Sequence, residues 1–230
     1  MQVEILYRPA YSMAIINLAP FEEIRVEAGS MVGMTDGMQL QTRMEGGLFR
    51  SLQRSLFGGE SFFLNVFQAP ELGGQINIAP VLPGDMMILP MQEDSLLVQS
   101  GSYVASSMDI DIDATWSGAR TFFASEGLIM LRARGSGLLI LSSYGAIHPI
   151  DLEVGQRYTV DSGHLVSFTE GMGFNVRTIG GARSTLFSGE GLVVDLTGPG
   201  RVYMQTRSED AFLTWLNPPG KGGSPEAGQK

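Results

Sequence analysis

Two histidines, three recurrent glutamates and an alternating run of aspartates are the side chains of this chain that could do chemistry. His148 precedes Pro149, and His164 occupies a small-residue turn at a slot that two similar turns fill with Ser30 and Ser102. A catalytic histidine does not trade places with serine, and no HxH or HExxH spacing exists, so a metal or acid–base role has no support. Glu60, Glu126 and Glu190 each follow an apolar pair and two small residues. Three carboxylates converging on one axis could hold a cation. The plainer reading is that each ends a turn and accepts backbone N–H groups beside it. Asp109, Asp111 and Asp113 alternate with Met108, Ile110 and Ile112. They lack the glycine and distal glutamate of a calcium loop and read as the wet face of a strand. The chain has no cysteine, which excludes disulfides, thiolate catalysis and cysteine zinc sites. Nucleophile-elbow, P-loop and dinucleotide motifs are missing too, so no catalytic, cofactor or metal residues are expected.

The glutamates and His164 belong to a pattern that recurs along the chain. An apolar stretch enters a small-residue turn as Val26-Glu27-Ala28-Gly29-Ser30-Met31-Val32, as Val98-Gln99-Ser100-Gly101-Ser102-Tyr103-Val104, and as Val160-Asp161-Ser162-Gly163-His164-Leu165-Val166. Gly29, Gly101 and Gly163 mark the turns; Glu60, Glu126 and Glu190 mark a second feature downstream of each. One such part alone would bury little. The expectation is an all-β chain of three internal repeats (about 21–89, 95–150 and 151–206) forming a pseudo-threefold β-sandwich or prism. It forms a single domain over 1–216, with a disordered Gly/Pro/Ser-rich tail over 217–230.

Val3 to Tyr7 and Met13 to Leu18 read as strands broken at Pro9, and Met108 to Asp113 as a half-buried strand. Phe62 to Phe67, Leu128 to Leu131 and Leu192 to Leu196 are continuously apolar and read as strands covered on both faces. Gly73-Gly74, Gly135-Ser136-Gly137 and Gly198-Pro199-Gly200 read as the turns of paired strands. Ser208 followed by Glu209 and Asp210 starts a short C-terminal helix that Pro218 stops. The first repeat carries an insertion of about one helical turn. It places Leu48, Phe49, Leu52 and Leu56 on one face, as a cap on the β core or as an interaction patch for a protein or membrane surface.

The net charge is −9, and lysine occurs only at Lys221 and Lys230. An acidic body repels phosphate backbones, which argues against nucleic acid. The N-terminus lacks the basic start of a signal peptide and no run is long enough to span a membrane, so the chain reads as soluble and cytoplasmic.

The third repeat carries the most specific wording: Gly173-Phe174-Asn175-Val176-Arg177, then Gly180-Gly181-Ala182-Arg183-Ser184-Thr185-Leu186-Phe187-Ser188-Gly189-Glu190, then Gly198-Pro199-Gly200-Arg201-Val202-Tyr203-Met204-Gln205-Thr206. With Pro83-Gly84-Asp85 after repeat one, this resembles the altered-inheritance-of-mitochondria protein 24 family, a mitochondrial biogenesis family with many bacterial members of unknown function. The resemblance implies a fold like the trp RNA-binding attenuation protein, in the double-stranded β-helix class, with no established enzymatic activity and no catalytic residues to carry over.

The function expected is a non-enzymatic structural or protein-interaction module that self-associates as a homo-oligomer, a trimer being favoured. The alternative is a β domain binding a small ligand or lipid at a membrane surface.

Overall fold

Short β-branched and apolar runs between glycine turns favour strands over helices, since alternate side chains can pack on a pleated surface while glycine supplies the bends. The structure is a computed structural model that describes residues 1–41, 64–113, 129–179 and 192–217. Those residues are mostly β with one short C-terminal helix. In chain order the strands are β1 (Gln2–Leu6), β2 (Met13–Leu18), β3 (Glu23–Glu27), β4 (Met31–Met34), β5 (Gln39–Gln41), β6 (Leu64–Gln68), β7 (Gly74–Ile78), β8 (Met86–Gln99), β9 (Tyr103–Ser107) and β10 (Ile110–Asp113). Then come β11 (Met130–Ser142), β12 (Ile147–Leu152), β13 (Arg157–Asp161), β14 (Leu165–Thr169), β15 (Gly173–Thr178), β16 (Leu192–Thr197), β17 (Gly200–Gln205) and helix α1 (Glu209–Leu216).

The two longest strands, β8 and β11, pair antiparallel along their whole length within one ten-stranded sheet, and their outer neighbours change at a bulge halfway. Their first and last parts, Met86 to Met91 with Gly137 to Ser142, continue sideways into β9, β3, β6 and β5. The other parts, Asp94 to Gln99 with Met130 to Gly135, continue into β10 on one side and β14, β17 and β12 on the other. Two smaller sheets complete the described fold: β1-β2-β7-β4 and β13-β16-β15.

Three clusters fill the spaces between these surfaces. Ile16, Ile76 and Ile78 of the four-stranded sheet pack on Ile24, Phe67 and Ile140. Val98, Tyr103, Ile110, Leu131 and Leu141 fill the centre at β8 and β11. Leu97, Phe168 and Val202 pack on Val160, Val194 and Leu196 of the three-stranded sheet. Neighbouring residues Val66 and Phe67, Met130 and Leu131, and Val193 and Val194 are all buried, so these strands are covered on both faces as expected. Ile110 and Ile112 are buried while Asp111 is exposed, again as alternation predicts. Asp113 is not simply solvated, because Arg132 across the ladder donates to it at 3.0 Å.

The structure corrects three turns. Gly135-Ser136-Gly137 lies inside the continuous strand β11 rather than at a hairpin. Gly73 leads from β6 to β7 and Gly198 from β16 to β17, yet neither pair of strands is hydrogen-bonded to the other. Gly73 and Gly198 are corners at which the chain leaves one sheet for another, and Gly135 to Gly137 mark a bulge within one sheet. A glycine corner and a glycine hairpin need the same local conformations, so local sequence does not separate them. The break expected between Leu89 and Ser95 is likewise a bulge within β8. Glu93 takes a left-handed φ of 58°, and its N–H donates to Ser136 Oγ at 3.0 Å.

The bend in β11 admits no side chain. Gly135 has φ +136°, and a Cβ there would come within 2.2 Å of the Asp109 carbonyl oxygen. Gly155, with φ +77°, has nothing within 4 Å of the same hypothetical atom. Gly135→Ala is therefore expected to destabilise the protein by about 3 kcal/mol or more through backbone clash plus strain, and Gly155→Ala by only about 1 kcal/mol of strain. Urea midpoints of the two variants against the parent measure the difference; equal shifts would show that the bend is not sterically closed.

Candidate interaction surface

Among the described residues the chemistry-bearing side chains do not assemble. His148 lies exposed on β12, opposite Met204. His164 ends a 3-10 turn, its Nδ1 2.8 Å from the carbonyl oxygen of Gln205. Among the described residues no group of three histidine, cysteine or acidic side chains is placed to hold a metal ion. Glu60, Glu126 and Glu190, and the patch Leu48, Phe49, Leu52 and Leu56, lie outside the described residues. No helix among the described residues is long and apolar enough to cross a membrane. A 510 Å3 groove at the β8 bulge is flanked by Glu93, Asp94 and Glu170 and by Leu89, Leu96 and Tyr203.

The unusual surface lies instead on two sheet edges. Strands β9 and β14 each have a neighbour on both sides, and Tyr103, Val104, Leu165 and Val166 are at most 1% exposed. Among the described residues strand β4 has a neighbour, β7, on one side only. Its Met31, Val32 and Met34 are 43%, 59% and 44% exposed. Strand β13 ends the other small sheet, bonded among the described residues to β16 alone, with Arg157, Tyr158 and Thr159 exposed. Unpaired N–H and C=O groups on an apolar edge are a template for a further strand. Neither edge carries a lysine or proline to block pairing. Sequence reasoning missed β4 because Met-Val-Gly-Met is as apolar as the buried stretches at the corresponding places, and nothing local says whether a neighbouring strand is present.

Helix α1 adds a second apolar surface. Ser208 caps it as expected, its side chain accepting from the Ala211 N–H. Phe212 meets the Tyr144 ring edge-on at 5.9 Å and stacks with Trp215 at 6.1 Å, while Leu213, Trp215 and Leu216 face outward.

Residues 3–207 match the family model described as mitochondrial biogenesis AIM24. The chain belongs to the AIM24 family. An uncharacterized protein of Streptococcus pyogenes serotype M6 is 26% identical to this AIM24 chain over 215 residues, covering 90% of this chain and 86% of the relative. The X-ray crystal structure of a Streptococcus pyogenes protein has the same fold, with a TM-score of 0.78 at 24% identity, covering 94% of this chain and 97% of that one.

In this AIM24 chain the Pro83-Gly84-Asp85 turn is a structural lock. Gly84 bridges Gly145, and a Cβ on it would stand 1.7 Å from the Ser143 carbonyl oxygen, so only glycine fits. The Asp85 N–H donates to the Gly145 carbonyl at 2.8 Å, and the Asp85 carbonyl accepts from the Ser143 N–H at 3.0 Å. The Asp85 side chain is 5% exposed and accepts from Arg8 Nε at 2.8 Å and Nη2 at 3.0 Å. It also accepts from Ser12 Oγ at 3.2 Å and the Met86 N–H at 2.8 Å. Burial pushes this carboxyl up, but the bonds from Arg8, Met86 and Ser12 outweigh it and hold the group below the ordinary carboxylate range. The lock thus joins the β1–β2 connection to the start of β8 and the end of β11.

Since the folded-state pKa is lowered, the stabilisation is complete above the unfolded value, about 3.9, and is lost as pH falls through the folded value. Asp85→Asn is expected to cost about 2 kcal/mol at pH 7. That gap should narrow steadily below pH 4, where the parent also loses its carboxylate. Urea denaturation across this range measures it; a gap independent of pH would show that charge at Asp85 contributes nothing.

Proposed function

We propose that this chain is a non-enzymatic, cytoplasmic structural or protein-interaction module that self-associates through its sheet edges. The observation that carries the reading is the exposed apolar edge of β4, beside a second unpaired edge at β13. An edge of this kind in a chain without edge lysines favours assembly as the means of covering it.

The proposal includes three quasi-equivalent units, arranged like the attenuation-protein fold. Their support is a pairing scheme found at three places: β3-β6-β5, β8-β11-β10 and β13-β16-β15. It is joined by bulges at three corresponding steps, Met31 to Gly33, Tyr103 to Ala105 and Leu165 to Ser167. Gly29, Gly101 and Gly163 occupy the turns just before those bulged strands. The methionines fit both roles such a module needs: Met86, Met130 and Met172 fill cores, while Met31 and Met34 lie on the open edge.

Light scattering at tens of micromolar, a range set roughly by ordinary interface affinities, is expected to give a homo-oligomer, with three copies as the stoichiometry under test. Met31→Lys combined with Met34→Lys places charge on the open edge. It is expected to lower the assembled mass toward that of one chain while leaving the β circular-dichroism signal unchanged. A monomer for the unmutated protein would contradict self-association.

A further inference from the structure

The self-association proposed above acquires a definite geometry from seams already built inside the chain. Strand β3 pairs with β9 so that Val26 faces Ala105, Arg25 faces Ser106 and Ile24 faces Ser107. Strand β8 pairs with β14 so that Val98 faces Ser167, Leu97 faces Phe168 and Leu96 faces Thr169. The two registers are the same once the recurrent valines are aligned. Ala105 follows Val98 at the spacing at which Ser167 follows Val160, and Gly33 follows Val26 at that spacing too. Each seam joins the strand before one small-residue turn to the strand after the next turn. The strands left over are β13, which has no later turn to reach, and β4, which has no earlier strand to meet it. Among the described residues both end a sheet, as β1, β5, β12 and β15 also do.

We propose that β13 of one copy pairs antiparallel with β4 of a second copy, with Val160 opposite Gly33, Thr159 opposite Met34 and Tyr158 opposite Thr35. Charge supports the register. One step further along, Arg157 falls opposite Asp36, both exposed and of opposite sign. The built seam has Ser95 opposite Glu170 at the corresponding step. There the Glu170 N–H donates to the Ser95 carbonyl at 3.0 Å, and the Ser95 hydroxyl donates to the Glu170 carboxylate. Burial supports it as well, since the residues of β9 and β14 that correspond to Met31, Val32 and Met34 are fully covered. The contact is head-to-tail. Each copy offers one β4 and one β13, so the assembly closes as a ring or extends as a filament according to the rotation per copy.

The absence of cysteine makes the test direct. Met34→Cys and Thr159→Cys are made as separate proteins, one tagged, and mixed under mild oxidation. Both positions are exposed, so both variants keep the parent's β signal. Opposed residues on antiparallel strands stand about 4.5–5.5 Å apart, within disulfide reach, whereas a residue two places along stands about 7–8 Å away. The mixture is expected to yield the tagged–untagged disulfide dimer roughly tenfold above either protein alone and above a Val32→Cys and Thr159→Cys mixture. Asp36→Arg is expected to weaken association about fivefold or more, and Asp36→Arg with Arg157→Asp to restore it. A double variant, Met34→Cys with Thr159→Cys, that links only within its own chain would overturn the second copy as occupant. An oligomer by light scattering without the cross-link would overturn this seam and leave self-association standing. A monomer would overturn both.

Discussion

The bent pair β8–β11 is the constraint on which the described fold depends. One ladder joins both halves of the ten-stranded sheet, so the strands must bend beside the central core without losing their pairing. Glu93 takes the left-handed conformation on one strand, and Gly135 and Gly137 take positive φ on the other. Each bend lies where the register shifts, so an extra residue on β8 absorbs the change of direction. Side chains at the glycines would strike Asp109 and Ser107. At this joint, Tyr103, Leu131, Leu141 and Val166 pack together in the central cluster. Loss of the bend would move these residues away from one another together.

The same pairing scheme leaves two strands of the described fold without a matching seam. Each seam joins the strand before one small-residue turn to the strand after the next. The described residues contain two such seams, β3–β9 and β8–β14, and two strands of the matching kinds without one. The difference in burial is large: Val104 and Val166 are fully covered, while Val32 is mostly open. An apolar strand of this exposure costs stability in water and gains it when a backbone partner covers it.

Much of the fold was legible in the residues, because it follows from local chemistry. The alternation at Met108 to Asp113 gives a strand with Ile110 and Ile112 inward, and Ser208 with two following acids gives a capped helix. Gly135, Gly73 and Gly198 differ from the hairpin reading because a glycine shows where the chain can bend, not whether it turns back, bulges or enters another sheet; that is set by contacts far away in sequence. The lock at Asp85 rests on Arg8 and Gly145, both distant along the chain, so the Pro83-Gly84-Asp85 wording marks a turn without revealing what it holds. The β4 edge was hidden for a similar reason. Met31, Val32 and Met34 are as apolar as buried residues, and it is the lack of a second neighbour among the described residues that leaves them at the surface.

Hydrogen exchange read peptide by peptide over a dilution series tests the central claim most directly. Backbone pairing of β13 with β4 protects the outward-facing amides within residues 33–36 and 157–160 at high protein concentration and releases them on dilution, while the Thr35 amide, bonded to the Gln75 carbonyl within the chain, stays protected. The amides of β9 and β14, bonded within the chain, stay protected throughout. Exchange at β4 and β13 that is fast and independent of concentration would contradict the account.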